Sequence, residues 1–269
     1  MDMKKDLKIE GIQARLVWND KAQNKAHFET FFPKIAADTH IVLLPETFNT
    51  GFSLTTNEIA EPIESSETIA WMAHWSRKMR KILAGSLLVK DGEQVFNRFI
   101  WMQPDGQYHH YDKRHLFGFA GEDKVIDAGN ARKIVQVNGW KINLQVCYDL
   151  RFPIWARQPN ATAEEGTELY DIMIYIANWP SVRISAWDIL LKARAIENQS
   201  YVIGINRVGP DGNNIPHNGN SAFIDPFGNE LAFLTEAEGI LSHTFQGEDL
   251  DKIRRKIPFL KDRDQYHII

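Results

Sequence analysis

The chain has 269 residues, of which 43% are hydrophobic and 25% charged, and its formal net charge is −4. This is ordinary globular composition with enough apolar residues for a core, and the mixed charges argue against a nucleic-acid surface. No run approaches the roughly 18 apolar residues that cross a bilayer, and no apolar signal-peptide stretch follows the amino end, so we expect a soluble cytoplasmic protein that does not bind membranes.

Short apolar runs alternate with amphipathic stretches nearly from end to end. Strands are predicted at Leu7–Trp18, Ile41–Leu44, Ile82–Val89, Phe96–Gln103, Ile142–Cys147, Asp171–Ala177, Ser200–Asn206, Ser221–Asp225 and Ile240–Phe245. Helical spacing is found in Asp20–Ala37, Glu67–Lys81 and Ala186–Asn198. Pro104–Gly106 and Pro226–Asn229 are typical of hairpin turns, and Pro159–Thr167 of an exposed loop. This order predicts an α/β layered fold, with a mixed sheet or two sheets, as one domain over residues 1–269.

The first candidate site residue, Glu46, follows a buried apolar run. Ile41–Leu44 contains no polar residue, which is typical of a strand buried on both faces. Pro45 cannot donate to a ladder, so strand pairing ends there and Glu46 lies at the carboxyl end of the strand. Ligands usually bind at that end in open α/β sheets, and a carboxyl group there suits a general base. A helix cap or a surface carboxylate would have the same local pattern.

The second candidate, Cys147, lies where another strand stops. Apolar and polar residues alternate in Ile142–Asp149, which predicts that Cys147 lies on the face opposite Val146. Pro153 is well placed to open a helix shortly afterwards. A thiol between a strand end and a helix start meets backbone N–H groups and a positive dipole end. We therefore expect the thiolate to be favoured, and the same N–H groups could bind an oxyanion.

Cys147 is also the only cysteine, so an intrachain disulfide is impossible and a Cys-rich metal site is excluded. Taken alone, a single cysteine in an apolar strand is usually a small buried hydrophobe. Its functional interpretation therefore depends on its neighbours.

The third candidate segment is Tyr108–Phe117, whose simplest interpretation is a polar loop with scattered aromatic residues. Its histidines suggest a metal, but His109 and His110 are adjacent and no carboxylate–histidine pattern completes a ligand set. No Gly-x-Gly-x-x-Gly follows a strand, and no Gly-Lys-Ser/Thr loop is present. We predict neither a metal nor another cofactor.

Together these segments resemble the nitrilase, or carbon–nitrogen hydrolase, superfamily. The resemblance covers nearly the whole chain and rests on Leu44–Phe48, Tyr111–Phe117, Cys147–Pro153, Ala177–Pro180, Lys192–Gln199 and Gly219–Ser221. It implies a four-layer α-β-β-α sandwich and a small-molecule amide substrate. It also implies assembly into a homodimer or a higher homo-oligomer.

The resemblance also supplies catalytic roles. Glu46 would take the thiol proton, Lys113 would stabilise the tetrahedral intermediate, and Cys147 would form a thioester with loss of ammonia. The backbone N–H of Tyr148 would be the second oxyanion donor, and Glu122 matches a further glutamate that many members carry. The set is physically coherent, because Glu46 alone would raise the pKa of the thiol by repulsion and Lys113 would counter that effect.

Residues around these motifs indicate the branch of the superfamily. Cys147-Tyr148-Asp149 resembles the amidase branches, whereas true nitrilases commonly have Cys-Trp-Glu. The contexts Phe48–Phe52 and Asn178–Pro180 are most similar to bacterial omega-amidases, which hydrolyse the terminal amide of 2-oxoglutaramate and related 2-oxo acids. Branches that act on deaminated glutathione or N-carbamoyl compounds are the alternatives.

An omega-amidase pocket needs a partner for the carboxylate of its substrate. Arg183 is the predicted partner, because it follows Asn178-Trp179-Pro180 after a strand. Aromatic walls from Phe52, Phe117 or Trp179 would hold the aliphatic spacer. Arg183 could instead pair with a surface carboxylate.

Two rival interpretations remain open from the sequence. A Cys–His hydrolase would pair Cys147 with His115 or His217 in place of Glu46. A non-catalytic binding protein could keep the fold, but the complete Glu46, Lys113 and Cys147 set favours an enzyme.

Overall fold

Two β-sheets form the centre of the protein, for which a computed structural model describes residues 4–158, 170–264 and 266. The first sheet contains β1 (Leu7–Gln13), β2 (Ile41–Leu43), β3 (Glu61–Pro62), β4 (Ile82–Asp91), β5 (Gln94–Met102) and β6 (Tyr108–Asp112). The second contains β7 (Ile134–Val137), β8 (Trp140–Val146), β9 (Ile172–Ala177), β10 (Tyr201–Asn206), β11 (Val208–Pro210), β12 (Pro216–Ile224) and β13 (Glu230–Thr235). A last strand, β14 (Gly239–Phe245), returns to the first sheet.

Each sheet has a parallel centre with antiparallel strands beside it. The first has the order β14-β1-β2-β4-β5-β6, with β1, β2 and β4 parallel and β3 beside β4. The second has the order β11-β12-β10-β9-β8-β7, with β8, β9 and β10 parallel and β13 beside β12. Val146 pairs with Ile176, and Ala177 pairs with Asn206, so the carboxyl ends of these three strands lie level.

The helices lie on the outer faces of the two sheets. They are α1 (Lys21–Glu29), α2 (Thr56–Ile59), α3 (Glu67–Met79), α4 (Pro153–Ala156), α5 (Ile184–Asn198) and α6 (Asp249–Lys256). Phe28 of α1 and Met72 of α3 pack on the first sheet, and Trp187 and Leu191 of α5 pack on the second.

The main core lies between the sheets, where apolar residues of β1, β2, β4 and β5 meet those of β8, β9 and β10. The approach is close: a Cβ on Gly11 of β1 would lie 2.1 Å from Cδ1 of Ile205 in β10. Three apolar layers therefore separate four structural layers, which confirms the predicted α-β-β-α sandwich.

Several predicted boundaries are wrong for identifiable reasons. The predicted helix Asp20–Ala37 begins one residue later, at Lys21, where Asp20 caps the N–H of Gln23 at 2.9 Å, and it ends at Glu29. Pro33 lacks the N–H that would bond the carbonyl of Glu29, so the chain continues as a short 3₁₀ turn. Both predicted hairpin turns are confirmed, since β5 pairs with β6 and β12 with β13. The predicted loop Pro159–Thr167 lies outside the described residues.

One predicted loop segment contains a strand. Tyr108–Asp112 forms β6, with His109 and His110 exposed while Tyr111 is buried. The helices of the described ranges include none that is long and apolar enough to span a membrane.

Candidate active site

The three predicted catalytic residues follow three different strands and meet at one place. Glu46 comes three residues after β2, Lys113 directly after β6, and Cys147 directly after β8. Glu46 and Lys113 are 67 positions apart in the sequence and are brought together by the ends of their strands. The sequence reasoning that placed each residue at a strand end holds for Glu46 and Cys147.

Lys113 lies between two carboxylates. Its Nζ is 3.0 Å from Oε1 of Glu46 and 2.9 Å from both carboxylate oxygens of Glu122. All three side chains are buried, and the backbone N–H of Phe117 also donates to Glu122, at 2.6 Å. Burial alone would lower the pKa of Lys113, but the two carboxylates outweigh it and raise that pKa, so the ammonium stays protonated.

Glu46 is held by donors on both oxygens. Oε1 accepts from Nδ2 of Asn97 at 2.9 Å as well as from Lys113, and Oε2 accepts from the backbone N–H of Asn178 at 2.8 Å. Nδ2 of Asn178 also donates to the backbone carbonyl of Glu46 at 2.7 Å. The carboxylate is therefore fixed in orientation from both sheets, since Asn97 belongs to β5 and Asn178 follows β9.

These two asparagines were missed as site residues. The available signals were a polar residue inside the apolar strand β5 for Asn97, and the strand-ending position for Asn178. Neither signal identifies the partner, which lies in a distant segment.

Cys147 adopts an unusual backbone conformation. The strand ends at Val146, and Cys147 opens a 3₁₀ turn with φ of 45°. Non-glycine residues rarely adopt positive φ, and such strain concentrates at functional sites. Pro153 opens α4 a few residues later, as the sequence predicted.

The expectation of a favoured thiolate is wrong for the resting protein. Burial raises the pKa of the Cys147 thiol well above its ordinary value, and the negative charge of Glu46 raises it further. Lys113 acts in the opposite direction but does not compensate. The thiol hydrogen-bonds to Glu46 and is neutral until its proton is taken.

A cavity of about 500 Å³ opens over this cluster. It is large enough for a small molecule, since ligand sites are typically about 300–1,000 Å³. Its walls are formed by Trp18, Phe52, Ser53, Leu54, Thr55, Lys113, Phe117, Ala120, Cys147, Tyr148, Arg151, Asn178, Trp179, Pro180, Arg183, Asp211, Asn213, Ile215 and His217. All four residues predicted to bind substrate, namely Tyr148, Trp179, Phe117 and Arg183, are among them.

Two guanidinium groups lie against aromatic rings on the cavity wall. Arg183 is 5.1 Å from the ring centre of Phe117, and Arg151 is 5.0 Å from that of Trp179. Among the described residues neither arginine forms an ion pair with a carboxylate. Arg151 was missed by the sequence analysis, although it lies only four residues after the nucleophile.

The two histidines of the rival mechanism have other partners. Nδ1 of His115 lies 2.8 Å from Oδ1 of Asp149, and its ring stacks on Phe152 with centroids 3.8 Å apart. His217 lies on the cavity wall with Nδ1 3.0 Å from the carbonyl of Ile215, and burial lowers its pKa to about 4. The Cys147 thiol donates its hydrogen bond to Glu46 and not to a histidine, so the contact favours a carboxylate base.

We expect a chelator to leave activity unchanged. Across the described ranges, no group of three or more His, Cys, Asp or Glu side chains could hold a metal ion. Ammonia release should therefore be the same after dialysis against EDTA as before. If EDTA abolished turnover and zinc restored it, the interpretation of the histidines would be wrong.

Comparison with known proteins gives a consistent result. The carbon–nitrogen hydrolase family model matches residues 11–255. Omega-amidase YafV of Yersinia enterocolitica is 40% identical over 98% of this chain and 99% of its own length. The 2-oxoglutaramate amidase of Bacillus subtilis is 29% identical over 94% of this chain and 96% of its own.

A solved structure agrees in fold. XC1258 of Xanthomonas campestris is a CN-hydrolase superfamily protein with an arsenic adduct in its active site. It is 38% identical to this chain, with a TM-score of 0.95 over 98% of this chain and 99% of that one.

Proposed function

The chain belongs to the carbon–nitrogen hydrolase family, and we propose that it is an omega-amidase that releases ammonia from 2-oxo-acid amides such as 2-oxoglutaramate. The observation that carries the proposal is the Glu46–Lys113–Cys147 cluster beneath a cavity whose wall bears Arg151 and Arg183, neither of which has a carboxylate partner within the described ranges. The cluster would cleave the amide, and the arginines would select substrates that carry a carboxylate.

Acylation begins with the neutral thiol. Glu46 takes the proton as Sγ of Cys147 attacks the amide carbon and forms a C–S bond. Lys113 donates to the oxygen that becomes negatively charged, and the backbone N–H of Tyr148 is the second donor. Glu46 then gives its proton to the nitrogen, the C–N bond breaks, and ammonia leaves.

Deacylation uses the same base. Water loses a proton to Glu46 and attacks the thioester carbon, again with the oxyanion held by Lys113. The C–S bond breaks, the acid is released, and the proton on Glu46 returns to the sulfur.

Glu122 acts through Lys113. Its two oxygens lie 2.9 Å from Nζ, so the flexible ammonium is fixed on the side away from the substrate. A lysine held in place needs no reorganisation when the oxyanion forms, which is the condition for strong electrostatic stabilisation.

The arginines supply the selectivity for a carboxylate. A 2-oxo-acid amide has its carboxylate at the end opposite the scissile bond, and burying that charge requires a cation. Arg183 and Arg151 are half-buried and lie on the cavity wall without a carboxylate partner among the described residues. We assign the primary role to Arg183 and a supporting role to Arg151.

Arg183→Met should raise KM for 2-oxoglutaramate about 10- to 150-fold, the loss expected for a hydrogen bond to a charged group. The backbone carbonyl of Arg183 accepts from Nε1 of Trp179 at 2.8 Å, and the substitution leaves that contact in place. KM for both substrates is measured by ammonia release from 2-oxoglutaramate and from pentanamide, a neutral amide of the same length.

Pentanamide serves as the matched control, since it has no carboxylate to lose. An equal rise of KM for both substrates would indicate that Arg183 has a structural role. A wild-type preference for pentanamide would contradict the omega-amidase proposal itself.

We also propose that the protein pairs with a second copy through the outer face of α5. Ile189 and Ile196 on that helix, and Phe227 in the adjacent turn, are each more than half exposed. A Cβ on Gly228 would lie 2.8 Å from Cδ1 of Ile196, so the turn that carries Phe227 packs against this helix, and exposed apolar side chains of this kind are typical of association surfaces. We further propose a cytoplasmic location. A reducing compartment keeps the Cys147 thiol free, as a cysteine nucleophile requires.

A further inference from the structure

A second buried carboxylate lies next to the nucleophile. Asp149 is fully buried two residues after Cys147, and four donors surround it. Oδ1 accepts from the backbone N–H of His115 at 3.0 Å and lies 2.8 Å from Nδ1 of the same residue. Oδ2 accepts from the hydroxyl of Tyr111 at 2.8 Å and from the backbone N–H of Val146 at 3.0 Å.

These donors come from the two segments that carry reacting groups. Tyr111 lies in β6, two residues before Lys113, and His115 lies two residues after it. Val146 is the last residue of β8 and immediately precedes Cys147. One carboxylate thus ties the lysine segment to the start of the nucleophile turn.

The contacts call for an acceptor at both oxygens of the side chain. A carboxylate accepts at both oxygens and has about four lone-pair sites, which four donors fill. Burial and the neighbouring Asp149 both raise the pKa of Tyr111, so its hydroxyl stays protonated and donates. In an asparagine, one of the oxygens becomes an NH₂ group, which would face the backbone N–H of His115 or of Val146, a donor that cannot become an acceptor.

His115 completes the contact rather than serving as a base. Its ring lies parallel to that of Phe152, with an interplanar angle of 6° and centroids 3.8 Å apart. The stack places Nδ1 against Asp149 and fixes the chain two residues after Lys113.

We propose that Asp149 is a positioning residue that sets the distance and angle between Lys113 and Cys147. It is absent from the cavity wall, so it acts through those two residues and touches no substrate. This inference rests on the proposed function, because it assigns to Asp149 the geometry that the amidase mechanism uses. A displacement of about 1 Å between reacting groups can cost about 10²-fold in rate.

The test is Asp149→Asn in the full-length protein. We expect kcat for 2-oxoglutaramate to fall about 10²-fold while KM changes less than about threefold, since Arg183, the primary partner of the substrate carboxylate, lies in a different segment. The matched control is Asp171→Asn, which alters a carboxylate of similar burial at the opposite end of β9. Asp171 bonds Arg254 at 2.9 Å and the backbone N–H of Lys141 at 3.0 Å, and its variant should keep the wild-type kcat.

A second readout needs no turnover. Acrylamide adds to the only thiol of the chain, and mass spectrometry follows the adduct on Cys147. We expect addition to Asp149→Asn to be at least about tenfold slower than to the wild type, because Lys113 no longer aligns the amide oxygen beside the sulfur. Asp171→Asn should react at the wild-type rate. If the wild type released no ammonia from 2-oxoglutaramate, the proposed function would fail while this comparison still tested Asp149.

Urea denaturation establishes that each variant is folded. If Asp149→Asn does not fold, His115→Phe replaces it, since the ring stack on Phe152 is retained and only the Nδ1 contact is lost. We expect that variant to lose about five- to tenfold in kcat. A folded Asp149→Asn with wild-type kcat and an acrylamide rate at or above wild type would overturn the proposal, as would a His115→Phe variant with wild-type kcat.

Discussion

Cys147→Ala should leave a folded protein with no measurable amidase activity. The mechanism requires a covalent C–S bond, and no other cysteine in the chain can replace the lost sulfur. The fold should tolerate the change, because alanine has a Cβ like cysteine and meets the same strain at φ of 45°. Activity is measured by ammonia release, and the folded state by urea denaturation.

The wild type provides the complementary observation. Turnover with 2-oxoglutaramate, quenched with acid during the steady state, should show an acyl adduct on Cys147 by mass spectrometry. The alanine variant should show none. An active Cys147→Ala protein, or an adduct on another residue, would contradict the whole mechanism.

The meeting of the candidate catalytic residues at one place could be predicted because their positions at strand ends and the family resemblance point to the same residues. Glu46 follows an apolar strand and Cys147 an alternating one, and the carboxyl ends of these strands meet in the fold. The resemblance added Lys113 and Glu122, which polarity alone did not distinguish from a loop. The 2.9 Å contact between Lys113 and Glu122 agrees with the place that the resemblance assigns to Glu122.

The ionisation state of the thiol could not be predicted from the same pattern. The sequence indicates a strand end and a helix start, which suggest a thiolate. It does not give the depth of burial or the contact with Glu46, and these two effects dominate the pKa of Cys147. Asp149 was missed for a similar reason, since three of its four donors belong to Tyr111 and His115, in a distant segment of the chain.

One of the strands that the sequence analysis missed has no apolar run. β6 lies at the edge of the first sheet and has two exposed histidines between its two tyrosines, so its sequence does not look like a buried strand. α6 is only eight residues long and contains just two apolar residues, Leu250 and Ile253, so its helical spacing rests on a single pair. The central strands β2, β9 and β10 were predicted because they are buried on both faces and read as continuous apolar runs.

Removing either charged partner of the cluster should abolish efficient turnover, but with different effects on stability. Glu46→Gln removes the base, for which losses of about 10²–10⁴-fold in kcat are typical. Lys113→Met removes an oxyanion donor, for which about 10²–10³-fold is typical. Glu46→Gln leaves Lys113 paired with Glu122, whereas Lys113→Met leaves two buried carboxylates without a cation. Lys113→Met should therefore lower the urea midpoint far more.

The Glu46 variant also separates thiol ionisation from base catalysis. The charge of Glu46 raises the pKa of Cys147, so Glu46→Gln should lower that pKa, although burial keeps it above the ordinary value. The thiolate fraction at a given pH then rises, and the pH profile of iodoacetamide alkylation should move to lower pH while ammonia release is lost. A thiol that ionises more readily but no longer turns over shows that the proton transfer, rather than thiolate formation alone, depends on Glu46. Retained turnover in Glu46→Gln, or an alkylation profile moved to higher pH, would show that another group is the base.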